Sequence, residues 1–206
     1  MNFKICTFNV NGLGEYKKRC QMFEWLKDNK YDICFLQELH CQNISNDKWT
    51  QEWGNQAFFC GNSSNSTGIG ILISPNVNFN VIEYKEVIVG RIQVLKINFN
   101  NMEIVLINVY GPNKDDKLFF TELEKTIKMY EHETLIIGGD FNTIIDNAKD
   151  KKNGRVDTNK MNRQHINSLI ANYDLNDIWR IFNDDKTHFT WHSNHKPPIF
   201  CRLDYF

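Results

Sequence analysis

No run of apolar residues in this 206-residue chain approaches the roughly 20 that a membrane-crossing helix needs. Met1 leads straight into a strand-like segment rather than a signal peptide, and the two absences together argue against a membrane or secreted protein. Cysteine is present but unorganised. The six, at positions 6, 20, 34, 41, 60 and 201, form no CxxC pair and have no histidine spaced to complete a zinc site. Cys6 and Cys34 lie inside apolar runs and read as small buried residues. Three matches to the glycosylation sequon, beginning at Asn43, Asn62 and Asn65, read as polar loops. Charge of one sign is also lacking: 24 Lys and Arg against 25 Asp and Glu leave a net −1. That balance does not exclude nucleic acid, because basic residues can gather on one face. No repeat, linker or low-complexity block divides the chain, so 1–206 reads as a single domain.

What is there is a series of short apolar runs with polar ends. Phe3 to Val10 reads as a buried strand that meets a loop at Asn11-Gly12. Cys20, Phe23 and Leu26 recur at a spacing of three and predict a helix, and Ile33 to Leu36 is a second strand ending in Gln37-Glu38. A polar loop then leads to a strand over Gly68 to Ser74. Val77 to Tyr84, Arg91 to Phe99 and Met102 to Val109 predict antiparallel sheet, with Asn100-Asn101 as a tight hairpin turn. Phe119, Leu123, Ile127 and Tyr130 mark a second helix, and Ile166, Leu169, Ile170 and Tyr173 a third. Leu135 to Ile137 and Arg202 to Phe206 complete the strands. Mixed hairpins and helical crossovers imply an α/β (α+β) fold in which packed sheets are covered by helices.

The strand ends collect groups that suit chemistry, a common arrangement in α/β proteins. Glu38 lies just past the apolar run Ile33 to Leu36, where a carboxylate is costly unless exposed, paired or bound to a cation. A hard divalent ion fits such an oxygen ligand, although in isolation Glu38 reads more often as a strand-end surface residue. Asn9 and Asn11 flank Val10 and, on an extended strand, would point to one side, to orient a metal, water or phosphate or simply to cap a turn. In Gly138-Gly139-Asp140-Phe141-Asn142 the same alternation offers Asp140 to a water and Asn142 to a phosphoryl oxygen, the plainer reading being an Asx-rich turn. Tyr110 ends an apolar strand as either a phosphate donor or a packing residue. Thr190 and Trp191 lie in a polar, aromatic segment that suits nucleic acid or a stiff loop. Lys151, Lys152 and Arg155 belong to the most basic run of the chain, a solvated loop or a phosphate contact.

Each signal is weak alone; their order is specific. Phe8-Asn-Val-Asn-Gly12, Leu36-Gln-Glu38, Gly68-Ile-Gly-Ile-Leu-Ile73, Asn108-Val-Tyr-Gly-Pro112, Gly139-Asp-Phe-Asn142, Phe189-Thr-Trp191 and Arg202-Leu-Asp-Tyr-Phe206 resemble the successive motifs of the endonuclease/exonuclease/phosphatase superfamily. The likeness is greatest to the apurinic-type endonuclease domain of non-LTR, LINE-like retrotransposons, with exonuclease III-type repair enzymes next.

This resemblance implies a four-layer sandwich of two packed mixed β-sheets flanked by helices. It implies Mg²⁺, or Mn²⁺ in its stead, on Glu38 with Asn11 close by, and Asn9 ordering the site. Asp140 would align the attacking water, Asn142 and Tyr110 would hold the scissile phosphate, and Thr190 would contact a phosphate. Asp204 matches an aspartate that orients a later histidine. The implied partner is DNA, in an intracellular, nuclear setting, with a reverse-transcriptase domain in the parent polyprotein. Asn11 stands where repair relatives carry an acidic ligand, which favours the retrotransposon branch. The family's terminal Ser-Asp-His motif is absent, so a truncated domain lacking its C-terminal strands is expected. Two alternatives accompany the nuclease: a phosphatase acting on phosphoinositides or sphingolipids, and an inactive DNA-binding remnant.

Overall fold

A computed structural model describes residues 3–40, 46–61, 67–154 and 159–206. It resolves into two compact units, Met1–Tyr110 with Glu133–Gly139, and Gly111–His132 with Asp140–Phe206. No helix among the described residues is long and apolar enough to cross a membrane.

The first unit begins with β1 (Ile5–Asn9), α1 (Tyr16–Asp28) and β2 (Ile33–Gln37), the two strands running parallel as a helical crossover requires. All five residues of β2 are buried, which explains why it reads as an unbroken apolar run rather than an alternating one. Next come α2 (Asn46–Trp53), β3 (Ala57–Cys60) and β4 (Ile69–Ile73), giving a mixed sheet of order β1-β2-β4-β3. Phe23 and Leu26 of α1 and Trp49 and Trp53 of α2 pack with Cys6, Cys34, Leu36, Phe59 and Leu72 on one face of that sheet. The segment expected to be a polar loop thus holds a helix and a strand. Its two tryptophans, four residues apart, supply a stripe too narrow to register as an apolar face, and the Trp53 indole donates to the Ile73 carbonyl at 2.8 Å.

A second sheet follows, with β5 (Asn80–Ile88), β6 (Ile92–Phe99) and β7 (Met102–Tyr110), and in the chain after them β8 (Thr134–Asp140) beside β7. The hairpin turn is where the sequence puts it: Asn100 and Asn101 have φ of 51° and 64°, as a primed turn needs. β5 starts later and runs further than Val77 to Tyr84. It is an edge strand with register shifts at Val81/Glu83 and Glu86/Ile88, and its exposed residues give no clear apolar boundary. The two sheets pack face to face. Between them buried Asn108 of β7 donates to the Leu36 and Gly70 carbonyls at 3.1 and 2.9 Å and accepts from the Gln37 amide at 2.8 Å. At Gly139, φ is 141° and an added Cβ would lie 1.9 Å from the Val109 carbonyl oxygen, so the approach of β8 to β7 demands glycine.

The second unit holds α3 (Lys117–Met129), whose N-terminus Asp116 caps by accepting from the Phe119 amide. It packs against α4 (Lys160–Asn172), where buried Asn162 ties the helix start to the Lys114 carbonyl and the Asp116 amide. β9 (Lys151–Lys152), α5 (Ile178–Phe182), β10 (Trp191–His192), β11 (Phe200–Cys201) and β12 (Asp204–Tyr205) complete it. β10, β11 and β9 form a small antiparallel sheet in that order. Of the strand expected over Arg202 to Phe206, only Asp204–Tyr205 is extended, because Arg202 turns inward to a buried ion-pair cluster.

Candidate functional site

In the first unit three strand ends converge on one carboxylate. Glu38 follows β2 with φ of 56°, a left-handed conformation that a non-glycine residue adopts only when its surroundings hold it there. Its Oε1 accepts from the Asn9 amide at 2.7 Å, at the end of β1, and from the Tyr110 hydroxyl at 2.8 Å, at the end of β7. Its Oε2 lies 3.2 Å from His40 Nε2. Asn9 works in both directions, since its Oδ1 also accepts from the Asn11 backbone N–H at 3.1 Å. Tyr110 is pinned in turn: its amide donates to the Arg91 carbonyl at 2.8 Å, and the Arg91 guanidinium lies 4.8 Å from its ring centre. Beneath, Gln37 bridges Thr7 and Asn108, so the strand that carries Glu38 is held from both sides.

Asn9 and Asn11 do not alternate along a strand as the sequence suggests. β1 stops at Asn9, Asn11 has φ of 45°, and the pair closes an Asx turn around buried Val10. Lys18 donates to the Val10 and Asn11 carbonyls at 2.8 and 2.7 Å, fixing that turn from α1.

In the second unit the same device recurs at the end of β8. The Asn142 N–H donates to Asp140 Oδ1 at 2.8 Å, Asn142 has φ of 48°, and Phe141 between them is buried. Here too the two polar side chains do not simply alternate, because the backbone turns. The Asn142 side chain donates to the Gly111 carbonyl at 3.0 Å, and Asn159 donates to the Asn142 carbonyl at 3.0 Å. The Phe141 N–H donates to the Leu203 carbonyl at 2.9 Å, which ties the turn to the segment before Asp204. Asp204 is half-buried, and Thr190 Oγ1 accepts from the Leu203 and Asp204 amides at 3.0 and 3.3 Å. Tyr205 is buried; its hydroxyl reaches the Arg202 and Thr143 carbonyls at 2.6 and 3.0 Å, and burial pushes that phenol well above its ordinary range, so it keeps its proton.

Of the residues assigned to nucleic acid, Trp191 is 46% exposed on β10, and in register it lies across Cys201 from Lys151. Lys151 and Lys152 form strand β9, not a loop, and the neighbouring Lys149 is paired with Asp184 at 2.5 Å. Arg155 lies outside the described residues, as do Cys41 and most of the three sequons. Sequence reasoning missed His40, Gln37 with Asn108, and Asn159. His40 stands two residues beyond Glu38, which was the available signal; the others are set by tertiary contacts with partners far away in the chain.

Among the described residues no group of three or more His, Cys, Asp or Glu could by itself hold a metal ion. The candidate ligand is instead the single carboxylate of Glu38, its Oε1 held by the Asn9 amide N–H and the Tyr110 hydroxyl and its Oε2 3.2 Å from His40 Nε2. Such a ligand suits Mg²⁺, which commonly takes one or two protein carboxylates and fills its remaining positions with water and phosphate oxygens.

The family model for the Endonuclease/Exonuclease/phosphatase family matches residues 6–206. The "Transposon TX1 uncharacterized 149 kDa protein" of Xenopus laevis is 30% identical over 194 residues, 93% of this chain; the chain spans 15% of that relative's length. AP endonuclease LMAP from Leishmania major has the same fold, with a TM-score of 0.79 at 16% identity over 99% of this chain and 78% of that one. So does the endonuclease domain of TRAS1, a telomere-specific non-LTR retrotransposon, with a TM-score of 0.70 at 14% identity over 99% and 84%. The ordered strand-end motifs, the packed sheets and the match through nearly all of the sequence establish that this chain belongs to the Endonuclease/Exonuclease/phosphatase family of hydrolytic enzymes.

Proposed function

We propose that this chain is the catalytic domain, 1–206, of a Mg²⁺-dependent DNA endonuclease that hydrolyses one phosphodiester bond to nick a target for retrotransposition. The observation that carries the reading is Glu38. Two neutral donors, Asn9 and Tyr110, orient a single carboxylate where three strand ends converge, a support that a solvated surface carboxylate does not need. The curated relative's description as a transposon protein and the fold shared with a retrotransposon endonuclease domain favour DNA as substrate.

Glu38 would hold the cation, with Asn11 beside it and Asn9 as the support that fixes the carboxylate. A bound divalent ion supplies charge neutralisation at the phosphate. Asp140, an acceptor once ionised, would align or deprotonate the attacking water. Asn142 commits one amide hydrogen to the Gly111 carbonyl, and its second suits a phosphoryl oxygen. Tyr110 would reach the same phosphate from the hydroxyl that now steadies Glu38. Thr190 and Asp204 would act further along the DNA backbone and on a family histidine, and Trp191, Lys151, Lys152 and Arg155 would meet DNA beyond the scissile bond.

The test is relaxation of supercoiled plasmid with Mg²⁺, by this chain and by the chain extended through the family's Ser-Asp-His motif, each beside its Asp140→Ala variant. Relaxation by the extended protein that Asp140→Ala abolishes supports the reading. No relaxation, or relaxation indifferent to the substitution, overturns it.

A further inference from the structure

Arg202 opens the motif Arg202-Leu-Asp-Tyr-Phe206. It is 3% exposed, and its guanidinium is held by two carboxylates at once. Nε and Nη2 donate to Asp150 at 2.8 and 3.2 Å, and Nη1 and Nη2 donate to Asp177 at 3.1 and 2.5 Å. Asp150 is fully buried and takes a further bond from Arg180, while Asp177 caps α5 through the Arg180 amide. Two cations and two anions therefore close a neutral cluster, and the planar fork of arginine is what lets one side chain bridge both acids. The ring of Tyr205 lies 4.4 Å from the guanidinium and packs edge-on against Phe141.

The backbone that this cluster fixes is the unusual part. The Arg202 N–H donates to the Asp150 carbonyl at 2.9 Å and its carbonyl meets the Tyr205 hydroxyl. One residue on, Leu203 accepts from the Phe141 amide, and its own N–H, like that of Asp204, goes to Thr190. Phe141 is the residue between Asp140 and Asn142. We infer that Arg202 is a positioning residue: clamped between Asp150 and Asp177, it sets the 202–204 segment, and through the Leu203 carbonyl it sets the turn that aims Asp140 and Asn142. This rests on the nuclease reading for what those side chains do, but not for the clamp itself.

Arg202→Lys keeps the charge and loses the fork; Asn162→Ser removes buried hydrogen bonds elsewhere in the same unit and serves as the control for lowered stability. Amide hydrogen exchange is measured on this chain well below its melting temperature. The clamp predicts at least about 10-fold faster exchange of the Phe141, Leu203 and Asp204 amides in Arg202→Lys, with the α3 and α4 amides unchanged and with no such local pattern in Asn162→Ser. In the extended, plasmid-nicking protein kcat falls about 10–100-fold in Arg202→Lys at nearly constant KM, whereas Asn162→Ser lowers Tm and leaves kcat. Uniformly faster exchange, exchange like wild type, or a kcat that follows only the fraction folded overturns the proposal. If the extended wild type nicks nothing while the exchange change is confined to those three amides, the clamp stands and the nuclease reading falls.

Discussion

Two turns in different units use one backbone device with an amide leading one and a carboxylate leading the other. Asn9-Val10-Asn11 and Asp140-Phe141-Asn142 both end a strand, both bury the middle residue, and both close when the first side chain accepts the N–H of an asparagine in the left-handed region. The first residue decides the use. Asn9 accepts from Asn11 and donates to Glu38, which an amide can do and a carboxylate cannot; Asp140, once ionised, can only accept. One turn therefore holds a carboxylate and the other presents one. The shared geometry teaches that an Asx turn and a functional reading are not alternatives, because the hydrogen bond that closes the turn also fixes the orientation of the side chain that leads it.

Exchanging the two chemistries tests this most severely. Asp140→Asn keeps the acceptor that closes the turn and removes the charge. We expect plasmid relaxation by the extended protein to fall about 10²–10⁴-fold, the usual worth of an acid–base group, with little change in Tm. Asn9→Asp also keeps its turn but loses the donor to Glu38 and sets a second negative charge against it, so activity should fall about 10–100-fold. Equal losses in the two variants, or a Tm collapse in Asp140→Asn, would mean that the turns serve folding alone.

The next effect separates the held carboxylate from its holders. Glu38→Gln should weaken Mn²⁺ binding, followed by calorimetry or by the paramagnetic signal of the ion, by at least about 10-fold, whereas Tyr110→Phe, which removes one hydrogen bond to Glu38, should cost less. Unchanged affinity in Glu38→Gln would place the cation elsewhere. Smaller again, and in stability alone, is Asn108→Leu. It strands the Leu36 and Gly70 carbonyls and the Gln37 amide between the sheets, and should cost about 1–3 kcal/mol in urea unfolding for the first group left unsatisfied.

These residues also mark what a sequence can and cannot reveal. β2, β6, β7 and the hairpin at Asn100-Asn101 were legible because buried strands are apolar throughout and primed turns need asparagine or glycine. Helix α2 was not, because Trp49 and Trp53 do its burying in an otherwise polar segment. Glu38, Asn9, Tyr110, Asp140 and Asn142 could be named as candidates from motif order. That Asn9 and Tyr110 meet on Glu38 could not, since 29 and 72 residues separate those pairs in the chain. The inference of alternation at 9–11 and 140–142 failed for one reason: it assumed the strand continued, and a left-handed asparagine ends it in both places.

The smallest effect concerns how the first turn is supported from downstream. Arg19, buried in α1, donates to the Leu13 and Gly14 carbonyls at 2.8 and 3.2 Å, just past Asn11, and pairs with Glu52 of α2 at 2.5 Å. The hydrogen bonds from Arg19 hold the Glu52 carboxyl below the ordinary glutamate value near 4.5, against the upward pull of burial. A carboxylate depressed in the folded state stabilises fully above its unfolded value and loses that contribution as the pH falls through its folded one. The wild type should therefore lose Tm below about pH 4.5 more steeply than Glu52→Gln, which starts lower at neutral pH by about 1 kcal/mol, roughly 2–4 °C. Parallel melting curves from pH 6 to pH 3 would show that Arg19 holds the loop without its acid partner. The turn at Asn9 would then owe its support to Lys18 and the strand ends rather than to this pair.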